Sequence, residues 1–393
     1  MFKRMPLRAL LTLPYLGLVL GLACIVGVLS YRSGRDAVDS LSSQLLTETV
    51  NRINQAIEKH VSGSAAVLEA AFPRGTTAPA DLAAELPLLR TRFWLATSVH
   101  LDPNNYAYFG DRDGRFFGLW RYSETDAELR LRLQGQGPRS IFHFSGITGD
   151  LGPATPETRI FEPRERPWYK AAQANAHTWT AIYIDFKTSE LVCTRARRVN
   201  DAAGDFAGVV ATDLSLRQIN AFLQKLKLSA RGLAMVVEQD GNLIGVSRGP
   251  NLRTVAGQAA RLNAADSGDA LVKSTYRAVK GLIAQNSGDE ARTGVFEDDS
   301  GEAIEVGYAR LRDAAGLDWL VMVAVPRDDF LHGVTRNFVN TVGLAVLSAL
   351  ATAGVGLWVL STVARELRRL AEAARRVGEG DLDTPPEIGR AHV

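Results

Sequence analysis

Cysteine is nearly missing from this chain. Cys24 and Cys193 are the only two in 393 residues, and Cys24 lies inside a long apolar run, so their positions exclude a disulfide framework. Cys193 reads as a buried strand residue. An excess of either charge is missing too: 45 basic side chains face 43 acidic ones, for a net charge of +2. That balance, with no basic stripe interleaved with aromatics, excludes a nucleic-acid partner as the expectation. The histidines at 60, 100, 143, 177, 332 and 392 have no metal-ligand spacing, so no metal is expected. No Gly-rich phosphate loop follows a strand, since GQGP at 135–138 lacks the Lys-Ser/Thr that would complete it. No nucleophile stands near a general base. Neither a cofactor nor a catalytic residue is expected in these 393 residues. Aromatic residues are sparse as well, at 8%.

Uncharged apolar runs, by contrast, are long. LLTLPYLGLVLGLACIVGVLSY covers 10–31, and FVNTVGLAVLSALATAGVGLWVLSTVA covers 338–364. Each reaches the ~20 residues that cross a bilayer, and the second is rich in the small residues that favour helix contacts in lipid. The first exceeds the ~7–15-residue core of a signal peptide and is followed by no small-x-small cleavage site, so it reads as an uncleaved span. Lys3, Arg4 and Arg8 precede it, while Arg365, Arg368, Arg369, Arg375 and Arg376 follow the second. The positive-inside rule then predicts two spans in the cytoplasmic membrane, 10–31 and 338–362, with both termini cytoplasmic and 32–335 outside.

Within the outer region, Val38, Leu41, Leu45, Ile53, Ile57, Val61 and Leu68 recur mostly at intervals of three and four, so 32–72 reads as a stalk helix of ~60 Å. PRGTTAPAD at 73–81 breaks it. NYAYFGDRDGRFFGLWR, 105–121, reads as two strands around an Asp-Arg-Asp-Gly turn, with Gly114 at positive φ. Strands follow at 188–199 and 204–216, then a helix with Ser215 and Gln218 in capping-box spacing. From 232 the plan repeats: strand, Asp-Gly turn, strand in GLAMVVEQDGNLIGVS, then strands in EAIEVGYARL and GLDWLVMVAVP. The expected fold class is α+β, a long stalk helix and two PAS-like α/β modules with antiparallel sheets. The modules are expected at about 82–227 (membrane-distal) and about 228–327 (membrane-proximal).

FEPRERPWYKAA, then WTAIYID, then GVVATDLSL, in that order behind a long helix, resemble the double Cache (dCache) sensor domain of bacterial transmembrane receptors. RELRRLAEAARRVGEGDLDTP resembles the first helix and Gly-Asp-Leu turn (Gly380, Asp381, Leu382) of a HAMP signalling linker, without the proline usual early in that helix. A partial HAMP linker is therefore expected at 363–386. The final EIGRAHV, 387–393, is what a common sequencing-library adapter encodes, so it is expected to be an artefact, with the protein continuing into an output domain. The resemblance leaves that output open among a methyl-accepting chemotaxis module, a diguanylate or adenylate cyclase, and a histidine kinase. It also implies a homodimer.

Arg166, Trp168 and Tyr169 are similar to the Arg-x-Trp-Tyr of amino-acid-binding dCache domains, Tyr183 and Asp185 to a later Tyr-x-Asp, and Asp213 to an Asp ending the last strand. The resemblance implies that arginine and tryptophan hold a ligand carboxylate while tyrosine and aspartate take its ammonium. Phe161 stands where that subgroup has tyrosine, which removes one hydroxyl. Tyr108 and Trp120 are expected on the opposite wall. An arginine fork suits a carboxylate, and a carboxylate beside aromatic faces suits an ammonium, so such a pocket selects zwitterions. Other readings stay open: Arg166 paired with Asp185 or Asp213 without ligand, an amine, purine or organic acid as ligand, or a domain that docks a periplasmic solute-binding protein.

Overall fold

A computed structural model describes residues 7–100, 104–185, 189–284 and 288–379. The chain divides into two compact units, residues 42–329 and the segments 1–41 with 330–393. Lys3, Arg4, Gly380, Asp381, Leu382 and the tail 387–393 lie outside the described residues.

Helix α1 is Leu7–Ala71 and helix α6 is Arg327–Gly378. Among the described residues one helical stretch, Val342–Arg376, is long and apolar enough to cross a membrane. Leu344, Leu347, Leu350 and Trp358 on it are all exposed, which is unfavourable for a helix in water and ordinary for one in lipid.

In unit 42–329, α1 buries Leu46, Val50, Ile53, Ile57, Val61, Leu68 and Ala71, one stripe at helical spacing. Leu41 and Leu45, expected on that stripe, are exposed instead, because the buried face runs through Leu46 and Val50. The N-terminal half then contains α2 (Leu86–Val99), β1 (Tyr106–Asp111), β2 (Phe116–Arg121), β3 (Asp126–Arg132), β4 (Ser140–Ser145), β5 (Thr155–Pro156), α3 (Pro167–Ala174), β6 (His177–Trp179), β7 (Tyr183–Ile184), β8 (Leu191–Asn200), β9 (Phe206–Ser215) and α4 (Arg217–Gln224). The C-terminal half contains β10 (Leu233–Glu238), β11 (Leu243–Val246), β12 (Leu252–Val255), β13 (Gln258–Arg261), α5 (Ala270–Ala284), β14 (Arg292–Glu297), β15 (Ala303–Arg312) and β16 (Asp318–Pro326).

The sheet of the N-terminal half runs β5-β4-β3-β2-β1-β9-β8-β6, with β7 also on β8, and that of the C-terminal half runs β11-β10-β16-β15-β14. Both are antiparallel, and both place a hairpin beside the last strand, which pairs with the strand before it. Each hairpin turns on an Asp-Gly step, with Gly114 at φ 83° and Gly241 at φ 90°. The repeat is thus one of topology. The expected capping box is only half made: Ser215 ends β9 and its hydroxyl accepts from the Arg217 amide at 3.3 Å while donating to Glu190, with no reciprocal Gln218 bond among the described residues.

Two-residue periodicity sorts the first of these sheets into two faces. Ala107 and Phe109 of β1, Phe117 and Leu119 of β2, and Leu129 and Leu131 of β3 pack under α1 and α2. The alternate residues, Tyr106, Tyr108, Phe116, Trp120, Arg130, Thr194 and Asp213, point to the other face and line a cavity there.

Candidate functional site

The cavity holds about 500 Å³, within the range of small-molecule pockets. Its floor is the sheet face, and one wall is the segment from Glu157 through α3. Pro167 sits at the first position of α3, where its missing N–H costs nothing. Trp168 approaches closely because Gly110 lies beneath: a Cβ there would stand 3.0 Å from the indole. The ring of Trp168 meets Tyr108 edge-on, with centroids 4.9 Å apart. Tyr183 and Asp185 form the other wall.

Asp213 organises the floor. Its Oδ1 accepts from the hydroxyls of Tyr108 and Thr194, each at 2.7 Å, with the Tyr183 hydroxyl at 3.5 Å. Thr194 is its direct partner across β8 and β9. Burial, and then the Asp213 charge, push the Tyr108 and Tyr183 hydroxyls well above the ordinary tyrosine range, so both remain protonated donors. The Asp213 carboxylate is therefore held by fixed hydroxyl dipoles at the edge of an apolar pocket.

Arg166 faces it from the N-cap of α3. Its guanidinium stacks over the Phe161 ring at 5.0 Å and makes no ion pair with any described residue. The ligand-free alternative, Arg166 paired with Asp185 or Asp213, is thus not what the structure contains. Phe161 does more here than stand in for a tyrosine, because Arg139 also lies over its ring, at 3.6 Å.

Of the residues named from sequence, Arg166, Trp168, Tyr183, Asp185, Asp213, Phe161, Tyr108 and Trp120 meet around this one cavity. Tyr169 does not. It is buried edge-on to Phe206, 5.7 Å away, because consecutive residues on α3 diverge by ~100° and Trp168 takes the cavity side. Trp179 is half-buried outside the cavity, bonded to Asp313.

Four charged lining residues went unrecognised in the sequence: Arg130, Arg139, Glu157 and Arg159. Arg139 and Glu157 form a two-pronged pair at 2.7 and 2.6 Å. Burial works to raise the Glu157 carboxyl, but the Arg139 fork, aided by Arg130 and Arg166, holds it below the usual range. Arg130 binds Glu128 and lies over Tyr106 and Trp120 at 5.1 and 5.6 Å. A signal was present: Glu128-Leu129-Arg130-Leu131-Arg132 alternates strictly, which marks a strand with one charged face.

A family model for the HAMP domain matches residues 358–391. In sequence the chain is similar to the methyl-accepting chemotaxis protein PctB of Pseudomonas aeruginosa, 24% identical over 66% of this chain and 39% of that one. It is also similar to adenylate cyclase 1 of Rhizobium meliloti, 24% identical over 98% of this chain and 59% of the other. The chain thus spans less than two thirds of the length of these curated relatives. Among solved structures, the PctB ligand-binding domain in complex with L-Arg, from Pseudomonas aeruginosa, is 20% identical over 79% of this chain and 98% of that one, with a TM-score of 0.45.

Proposed function

We propose that this chain is the sensing and membrane-coupling part of a transmembrane receptor that binds a free amino acid outside the cell. The observation that carries the reading is the cavity between Arg166 and Asp213. A guanidinium without an ion partner among the described residues stands at one side, and a hydroxyl-bound carboxylate stands at the other. Arg166 and Trp168 receive the ligand carboxylate, and Asp213, with Asp185 and Tyr183, receives the ammonium. A molecule lacking either charge leaves one of these groups unmatched in a partly dry site.

In this reading the protein lies in the cytoplasmic membrane with two spans and both termini inside, the first span being the apolar start of α1. A second copy covers the exposed Leu41 and Leu45 face of α1, giving a homodimer. Ligand favours one of two arrangements of the sensor unit, and α6 passes the shift to HAMP, whose match at 358–391 supports that direction of signalling. The chemotaxis proteins and the cyclase among the relatives are the output classes to test first.

The test is a thermal melt of the full chain in lipid nanodiscs against amino acids, amines, purines and organic acids. A ligand at 100 times its dissociation constant should add ~2.7 kcal/mol. Shifts confined to amino acids support the zwitterion site. Shifts from another class alone replace the ligand, and no shift with any compound argues for a domain that docks a protein.

A further inference from the structure

The end of the cavity away from Asp213, where Arg166 and Arg139 share the Phe161 ring, is walled by arginine. Neighbouring strands stand ~4.8 Å apart, so three steps separate β9 with Asp213 from β3 with Arg130, about 14 Å between their backbones. Arg130 closes part of that gap by turning back over Tyr106 of β1 and Trp120 of β2. Its Nε is engaged by Glu128, and its outer edge, beside the Tyr106 hydroxyl, lines the cavity.

Arg139 is not available for the same task, because its Nε and Nη2 both bind Glu157. That pairing also engages both carboxylate oxygens of Glu157, the one acid lining this end. A basic side chain entering here would meet Arg130, Arg139 and Arg159 with only that engaged carboxylate between them. An aliphatic side chain would strip water from the Arg130 edge and give it no acceptor beyond the Tyr106 hydroxyl. A carboxylate would take charge-assisted hydrogen bonds from it.

We propose that Arg130 is the specificity-determining residue of the cavity and that the ligand is an α-amino acid whose side chain ends in a second carboxylate, of glutamate length. The strand separation favours glutamate over the shorter aspartate. This inference rests on the zwitterion reading of the Arg166–Asp213 end.

Titration calorimetry on the full chain in nanodiscs tests it, with L-glutamate, L-glutamine, L-leucine, L-arginine and glutarate as probes. Glutamate should bind at least about tenfold more tightly than each of the others. Arg130→Gln should remove most of that preference while glutamine affinity moves less than about threefold. Glu128 is buried and loses its partner in that variant, so the double variant with Glu128→Gln accompanies it, and its ligand-free melt reports the fold. Leucine or arginine binding as tightly as glutamate overturns the Arg130 assignment and leaves the zwitterion site standing. Glutarate matching glutamate, or no amino acid binding at all, overturns both.

Discussion

The indole Nε1 of Trp179 donates to Asp313 Oδ2 at 2.8 Å, and this bond joins the N-terminal half of unit 42–329 to its C-terminal half. The Trp179 amide also donates to Ala315 O at 3.2 Å, and Arg195 lies over the indole at 5.2 Å. Tyr183 and Asp185 of the cavity wall follow on the same short segment.

Trp179→Phe keeps the ring and loses the donor. It should lower stability by about 1 kcal/mol and leave amino-acid affinity within about threefold, because Trp179 does not line the cavity. Melting and titration on one preparation check this. A variant that melts unchanged would show that the bond contributes nothing to joining the halves.

Arg166 and Asp213 should separate binding from stability. Arg166 is exposed, with no ion pair to a described residue, so Arg166→Ala should change ligand-free stability by less than about 0.5 kcal/mol while weakening amino-acid binding about 100-fold. Asp213→Ala strips the acceptor from the buried Tyr108 and Thr194 hydroxyls, and should cost about 3 kcal/mol of stability as well as binding. Equal stability losses in the two variants would contradict this division.

Gly118 keeps the floor open. A Cβ there would stand 2.6 Å from the Tyr106 hydroxyl and 2.8 Å from Phe116. Gly118→Val should push both rings into the cavity, weakening binding at least about tenfold and costing about 1–3 kcal/mol through overpacking. Unchanged affinity would place the ligand elsewhere.

The wall carrying Arg166 should loosen in acid. Hydrogen bonds from Arg164, joined by Arg132 Nη1 at 3.0 Å, hold the Glu162 carboxyl down at about 2 instead of 4.5. A depressed carboxyl pKa contributes stability above the unfolded value, and that contribution fades as pH falls through the folded one. Between pH 4.5 and about 2, stability should therefore drop, and Glu162→Gln should flatten that part of the profile. A profile identical to the parent's in this window would remove Glu162 from the account.

The sequence alone determined whatever depends on neighbours along the chain. The apolar runs, the helical spacing of the stalk, both Asp-Gly hairpins and the Arg-x-Trp-Tyr stretch are local patterns, legible because hydrophobic period and turn chemistry act over a few residues. Local spacing also misled. It put Leu45 on the buried stripe, while the family resemblance sent Tyr169 to the cavity with Trp168. Tertiary structure decided what strand pairing alone can bring together. Tyr108, Trp120, Arg130, Thr194 and Asp213 come from five strands, and they share one site because antiparallel register put every second residue of each on the same face. That register is fixed by burial of the opposite face under α1 and α2, a long-range constraint that no window of sequence contains.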